Sequence, residues 1–151
     1  MTTWTWIGLW RREGDPDWPD PTDLVDSGWD VEERSLVATY LRNGAPSPVF
    51  MYRKLPDGTM EVGERCQLCE GDEVISFNWD TDGTYVWPDG LDHYVETHLV
   101  RLPSRVVNHI LQQQPFDFEA IQARAWDRIM TTWSQGEHDD GSWWRDVTSA
   151  H

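Results

Sequence analysis

The chain has 151 residues, and its 27 acidic and 12 basic side chains give a formal net charge of −15. A length of this order favours one domain that is large enough to bury an ordinary hydrophobic core. The excess of acid opposes binding to nucleic-acid phosphates and to anionic membranes, and it fits either a merely solvated surface or attraction to a basic partner.

The first part of the sequence predicts one helix among short strands. Residues 4–9 alternate in polarity like a strand, and residues 13–23 form an acidic, proline-rich loop without regular structure. A helix over residues 31–42 follows, with Asp30 as its N-cap. Four short strands between residues 47 and 88 are joined by tight turns and predict an antiparallel meander.

After Trp87 the apolar residues recur with a helical period. Helices are expected to begin near Asp89, at Pro103 and at Asp117. The broad apolar face of the last helix consists of Phe118, Ile121, Ala125, Trp126, Ile129, Met130 and Trp133. The predicted fold is therefore α+β, an antiparallel sheet of four to five short strands with a helix near 31–42 and two to three C-terminal helices. We expect one domain over 1–135 and a flexible tail over 136–151.

The only two cysteines of the chain, Cys66 and Cys69, are separated by two residues. This spacing lets both sulfurs point the same way from one tight turn, as a zinc ion requires. His93 and His98 follow within the ligand spacing of structural zinc sites. On a regular helix these histidines would point about 140° apart, so either His98 lies on a distorted last turn or only one histidine binds. One interpretation is thus a structural zinc ion held by the two cysteines and the two histidines.

Other interpretations of the cysteine pair stay open. Cys66 and Cys69 also suit a core as small apolar residues, with the histidines on the surface or satisfied in the core. A thioredoxin-like redox pair is disfavoured because strands are predicted on both sides of it. No signal peptide and no apolar run of about 18 residues is present, so we expect a cytoplasmic protein, in which a disulfide is disfavoured.

The segments "RCQLCEG" and "TDGTYVWPDGLDHYVETHLVRLP" carry a resemblance to known proteins. Residues 31–107 resemble a widespread group of small bacterial proteins of unknown function, which have a CxxCG turn followed by TDGxxxWPxGLxHYVxxHxVxLP. This chain departs from the group at Glu70, where the group tends to have glycine, and Gly71 follows one position later. The resemblance implies a shared fold and a shared arrangement of cysteines and histidines, and it implies no substrate.

Two classes of function compete. The net charge of −15, the eleven Trp residues and the absence of a recognisable catalytic motif favour an acidic, non-enzymatic binding module. Such a module would be an immunity-type or regulatory protein that sequesters a basic protein partner. Trp143 and Trp144 would then insert into the partner, or they would dock onto the domain itself. The alternative is a small zinc-dependent hydrolase that uses Glu96 or Asp92 as its base.

Overall fold

The structure is a computed structural model that describes residues 4–12, 16–71, 73–132 and 143–145. At residues 49, 50 and 52–54 it describes the backbone alone. The described residues form four α-helices and eight short strands. The strands are β1 (Thr5–Trp6), β2 (Ala45–Phe50), β3 (Tyr52–Lys54), β4 (Met60–Val62), β5 (Glu64–Arg65), β6 (Val74–Ser76), β7 (Asn78–Thr81) and β8 (Tyr85–Pro88). The helices are α1 (Val31–Arg42), α2 (Leu91–His98), α3 (Ser104–Leu111) and α4 (Phe118–Thr132), and a short 3-10 helix spans Pro21–Leu24. The predicted α+β class is confirmed.

The main sheet has the strand order β1-β8-β7-β2 and is mostly antiparallel. Strand β1 lies parallel to β8, with Thr5 opposite Tyr85, whereas β8 with β7 and β7 with β2 pair antiparallel. Strands β3 and β4 form a separate antiparallel ribbon, and β5 and β6 form another. The expected single meander is therefore divided into one sheet and two ribbons.

Gly63 is the point at which the chain leaves one ribbon for the next. Its φ is +89°, and its amide donates a hydrogen bond to the carbonyl oxygen of Met51. A Cβ at this position would lie 2.5 Å from the carbonyl oxygen of Ser76, so a larger residue would meet backbone as well as an unfavourable φ. The chain is divided here into β4 and β5 for that reason.

Helix α1 begins and ends where the sequence predicts. The carboxylate of Asp30 accepts a hydrogen bond from the amide of Glu33 at 2.9 Å, which caps the N-terminus. The indole nitrogen of Trp87 donates to the carbonyl oxygen of Leu41 at 3.1 Å and so ties the helix to β8. The buried residues of α1 are Val37, Ala38, Tyr40 and Leu41. Helix α1 thereby packs on both the sheet and α2.

Helix α4 buries a narrower face than the sequence predicts. Its buried residues are Ile121, Ala125 and Ile129. Trp126 is 42% exposed and Met130 is 77% exposed. The buried residues are four apart and form one stripe, and each exposed residue follows one of them and is rotated by about 100° toward solvent. Trp133 lies outside the described residues.

The tail predicted over 136–151 lies outside the described residues except at 143–145, which form one helical turn. Trp144 is fully buried, and its ring centroid lies 5.5 Å from that of Trp10. Its indole nitrogen donates to the carbonyl oxygen of Leu9. Trp144 therefore docks onto the domain, which was one of the two alternatives for this residue.

A buried carboxylate joins the turn between β7 and β8 to α1 and α3. Asp82 is 1% exposed, and its carboxylate lies 2.6 Å from the hydroxyl oxygen of Tyr40 and 2.7 Å from Nε2 of His109. It also accepts hydrogen bonds from the amides of Thr84 and Tyr85. Burial on its own would raise the pKa of Asp82, but the hydrogen bonds from His109 and Tyr40 outweigh burial and hold that pKa below its usual value.

The substitution Asp82→Asn should lower the free energy of unfolding at pH 7 by about 3 kcal/mol, because an amide cannot accept hydrogen bonds from all four donors. A lowered carboxylate pKa stabilises the folded state above the unfolded pKa. This contribution is therefore lost as the pH falls below about 4, and the variant should lack that loss. Urea unfolding at several pH values measures both effects. Asp127→Asn on the exposed side of α4 should change stability by less than about 0.5 kcal/mol, and equal losses in the two variants would contradict the prediction.

Candidate metal centre

The turn between β5 and β6 carries both cysteines. Cys66 directly follows β5 and is buried, whereas the side chain of Cys69 is exposed. The amide of Leu68 donates a hydrogen bond to Sγ of Cys66 at 3.4 Å. An amide that donates to a sulfur in this way orients the sulfur and stabilises its thiolate form, the form that binds a metal.

Helix α2 carries both histidines, and its last turn is wider than that of a regular α-helix. The amides of Leu99 and Val100 both donate to the carbonyl oxygen of Tyr94, which lies further back than the fourth preceding residue. Leu99 adopts the left-handed conformation, with φ 58°. As a result, the Nε2 atoms of His93 and His98 lie 3.2 Å apart. This is the distorted last turn that the sequence requires if both histidines are to bind.

The four predicted ligands lie together. One ligand atom from each of Cys66, Cys69, His93 and His98 lies within 4.8 Å of all the others. Sγ of Cys69 is 3.2 Å from Nε2 of His93 and 3.3 Å from Nε2 of His98. A tetrahedral zinc ion with ordinary Zn–N and Zn–S bond lengths separates its ligand atoms by about 3.3–3.8 Å. The group therefore has the spacing to hold a metal ion.

The start of α2 is fixed against the ribbon that carries the cysteines. The amide of Gly90, directly before the helix, donates to Oγ of Ser76 at 3.0 Å. A Cβ on Gly90 would lie 2.4 Å from that oxygen and 2.6 Å from the carbonyl oxygen of Ile75. Glycine permits this approach, so the histidine helix begins in contact with β6.

Tyr94 links the cysteine turn to the histidines. Its hydroxyl oxygen accepts a hydrogen bond from the amide of Gln67 at 2.9 Å. Its ring centroid lies 6.2 Å from that of His93 and 6.3 Å from that of His98. Burial is the main cause that raises the pKa of Tyr94, with a smaller contribution from Cys66. The hydroxyl therefore stays protonated and can donate to the sulfur of Cys66.

The electrostatic environment of the ligands suits a cation. Partial burial, and then the neighbouring His93, lower the pKa of His98, which favours the neutral imidazole that a metal binds. Desolvation, followed by the nearby Cys66 and the negative charge of Glu73, raises the pKa of the Cys69 thiol. A divalent cation would reverse this shift, because a bound metal stabilises the thiolate.

The two acids predicted as catalytic bases are paired with an arginine. Nε of Arg42 on α1 lies 3.0 Å from the carboxylate of Asp92 on α2, and its guanidinium also binds Glu96. The hydrogen bonds to Asp92 and Glu96 raise the pKa of Arg42, which keeps it charged. The acids beside the histidines thus connect two helices.

Trp143 and Trp144, predicted to contact a partner, lie outside the metal centre. Trp144 is buried, and the ring of the partly buried Trp143 lies 4.1 Å from the guanidinium of Arg105. Binding of a partner by these two residues stays a prediction. The sequence analysis does not predict a role for Gly90 or Tyr94. Both lie between the cysteines and His98, within the segment "WPDGLDHYV", and this position is the signal that points to them.

Comparison with protein-family models, with curated proteins and with solved structures gives no match for this chain. No helix in the part of the chain that the structure describes has both the length and the apolar character to cross a membrane. Function is therefore inferred from the geometry of the site and from the charge of the surface.

The substitution Gly90→Ala should lower the free energy of unfolding by about 2 kcal/mol, because the added methyl group must displace the backbone of β6 or the start of α2. Thermal or urea unfolding measures the loss. The matched control is Gly71→Ala in the cysteine turn, where the nearest atom to an added Cβ is 4.0 Å away. Its stability should stay within about 0.5 kcal/mol of the wild type. A Gly90→Ala protein as stable as this control would contradict the proposed role of the contact.

Proposed function

We propose that this protein is a non-enzymatic binding module built around a structural zinc ion, with Cys66, Cys69, His93 and His98 as ligands. The observation that carries the zinc proposal is the convergence of these four ligand atoms within 4.8 Å. Two thiolates and two imidazoles favour zinc over magnesium and calcium, which prefer oxygen ligands. The ion would join the turn after β5 to α2. The group of bacterial proteins that the chain resembles would share the same arrangement.

A ligand set of four side chains favours a structural ion over a catalytic one. A catalytic zinc keeps one position open for water or substrate, whereas structural sites fill all four positions with protein ligands. The alternative function, a small zinc-dependent hydrolase, needs Asp92 or Glu96 as a base, and both are bound to Arg42. Both carboxylates are thereby engaged in joining α1 to α2. The hydrolase is therefore the less supported function.

Protein purified without a histidine tag should contain about one zinc ion per chain by elemental analysis. Cys69→Ser and His93→Ala should each lower this content below about 0.2 per chain, whereas the control Glu96→Gln should retain it. Chelation should lower the Tm of the wild type, because the binding free energy of a structural metal contributes to folding. A wild-type zinc content below about 0.2 per chain, with both thiols freely reactive, would contradict the zinc proposal.

The partner in this proposal is a basic protein. The chain has 27 acidic against 12 basic side chains. An acidic surface speeds the encounter with a basic partner and repels acidic ones, while an exposed aromatic residue such as Phe77 provides affinity. These features favour an immunity-type or regulatory role in which the protein sequesters its partner.

A partner captured from the native host by the zinc-loaded full chain should be basic, and its affinity should fall at least about tenfold between about 0.05 and 0.5 M salt. Isothermal titration with the purified partner measures this dependence. The physical reason is that salt screens the attraction between exposed charges of opposite sign. An acidic partner, or an affinity that does not change with salt, would contradict the binding-module proposal.

A further inference from the structure

Asp80, on β7, is a buried carboxylate without a neutralising partner among the residues that the structure describes. It is 9% exposed, and none of those residues donates a hydrogen bond to its carboxylate. Buried carboxylates in proteins are nearly always hydrogen-bonded or paired with a cation. Such a carboxylate is relieved either by taking up a proton or by a cationic group nearby.

Two further carboxylates act on Asp80. Asp80 lies opposite Trp87, and the amide of Asp89 donates to Asn78, so Asp80 and Asp89 share one face of the β7–β8 pair. Burial first, and then the negative charges of Asp89 and Asp92, raise the pKa of Asp80 to about 7. A cation placed beside Asp80 would therefore be attracted by three acids at once.

Arg42 does not balance these acids. It pairs with Asp92 and with Glu96, and it is absent from the groups that shift the pKa of Asp80. Among the side chains that the structure describes, Arg42 is thus the only basic one paired with any of Asp80, Asp89, Asp92 and Glu96. The charge of this region is therefore negative, like the net charge of the whole chain.

The distribution of these acids fits a basic side chain better than a metal ion. Across the described residues, the only group of three or more His, Cys, Asp or Glu side chains gathered closely enough to hold a metal ion is the Cys–His group. A divalent cation requires oxygens at one coordination distance. The five N–H donors of a guanidinium can instead bond carboxylates that are spread along a surface.

An exposed aromatic residue lies next to Asp89 through its backbone. Phe77 is 52% exposed, and its amide donates to the carboxylate of Asp89 at 2.8 Å. Met60 and Val62 on β4 are 58% and 49% exposed. A Cβ on Gly63, next to Val62, would lie 3.5 Å from the ring of Phe77, so this ring lies beside the junction of β4 and β5. Aromatic anchors beside partly desolvated charges are typical of the centre of a protein interface.

Resting on the binding-module function, we propose that the basic partner docks beside Phe77 and places an Arg or Lys side chain next to Asp89, in the negative field that Asp80, Asp89 and Asp92 create together. Charge complementarity specifies the occupant, because this surface would repel an acidic partner and attract a basic one. The apolar residues Met60, Val62 and Phe77 would contact the aliphatic or aromatic residues that flank the basic side chain.

The test titrates a short synthetic peptide of alternating arginine and leucine into the zinc-loaded full chain. Calorimetry measures the affinity, and amide NMR shifts locate the binding and check the fold of each variant. At about pH 8, where Asp80 is mostly ionised, Asp80→Asn should weaken binding at least about tenfold, whereas Asp127→Asn, the same substitution on exposed α4, should weaken it less than about twofold. Phe77→Ser should weaken it at least about fivefold, and its matched control Trp126→Ser should not.

Equal weakening by Asp80→Asn and Asp127→Asn would show diffuse charge attraction and overturn the location. Magnesium or manganese chloride is also added without the peptide. If either metal shifts the same amides and displaces the peptide, the acids bind a metal ion and the proposal is overturned as well. If Asp80→Asn does not fold, the location of the binding site is tested by Phe77→Ser and by the amide shifts of the wild type. A wild type that binds no basic peptide contradicts the binding module itself. A wild type whose binding is unaffected by the Asp80 and Phe77 substitutions contradicts only the site.

Discussion

The close approach of Gly90 to β6 determines where α2 begins, and the metal centre depends on that position. Because the amide of Gly90 bonds to Ser76, the helix starts beside the ribbon whose turn holds the cysteines. The wide last turn of α2 then brings His98 next to His93. A two-stranded ribbon is only marginally stable on its own. The contact at Gly90 and a shared metal ion would therefore support the same element from its two ends.

Asp80 and Asp82 lie two residues apart, are both buried, and have opposite pKa shifts. Asp82 receives hydrogen bonds from Tyr40, from His109 and from two backbone amides, so its charge is stabilised and its role is structural. Asp80 has acids as its electrostatic neighbours and no such donors among the described residues. The difference lies in the neighbours rather than in burial. It separates an acid that the fold surrounds with donors from one to which the described residues donate no hydrogen bond.

The sequence predicts the parts of this protein that depend on local signals. Asp30 caps α1, and the cysteine and histidine spacing identifies the four candidate ligands, because both patterns are complete within short segments. The parallel pairing of β1 with β8 depends on distant segments and leaves no local signal. The segment "DTDG" has the composition of an exposed turn, yet Asp82 is buried there because α1 and α3 pack over it. Burial of a polar residue is a tertiary property that composition does not reveal.

The surplus of tryptophan serves the core more than it serves a surface. Trp144 packs on Trp10, and Trp10 lies 5.3 Å from Tyr94, which reaches the cysteine turn through Gln67. This row of aromatic rings connects the last described turn of the chain to the metal centre through direct contacts. Large aromatic residues bury much area, which suits a short chain whose sheet is small. The proposed binding of a partner therefore rests less on the number of Trp residues than on the exposed Phe77 and on Asp89, whose carboxylate its amide contacts.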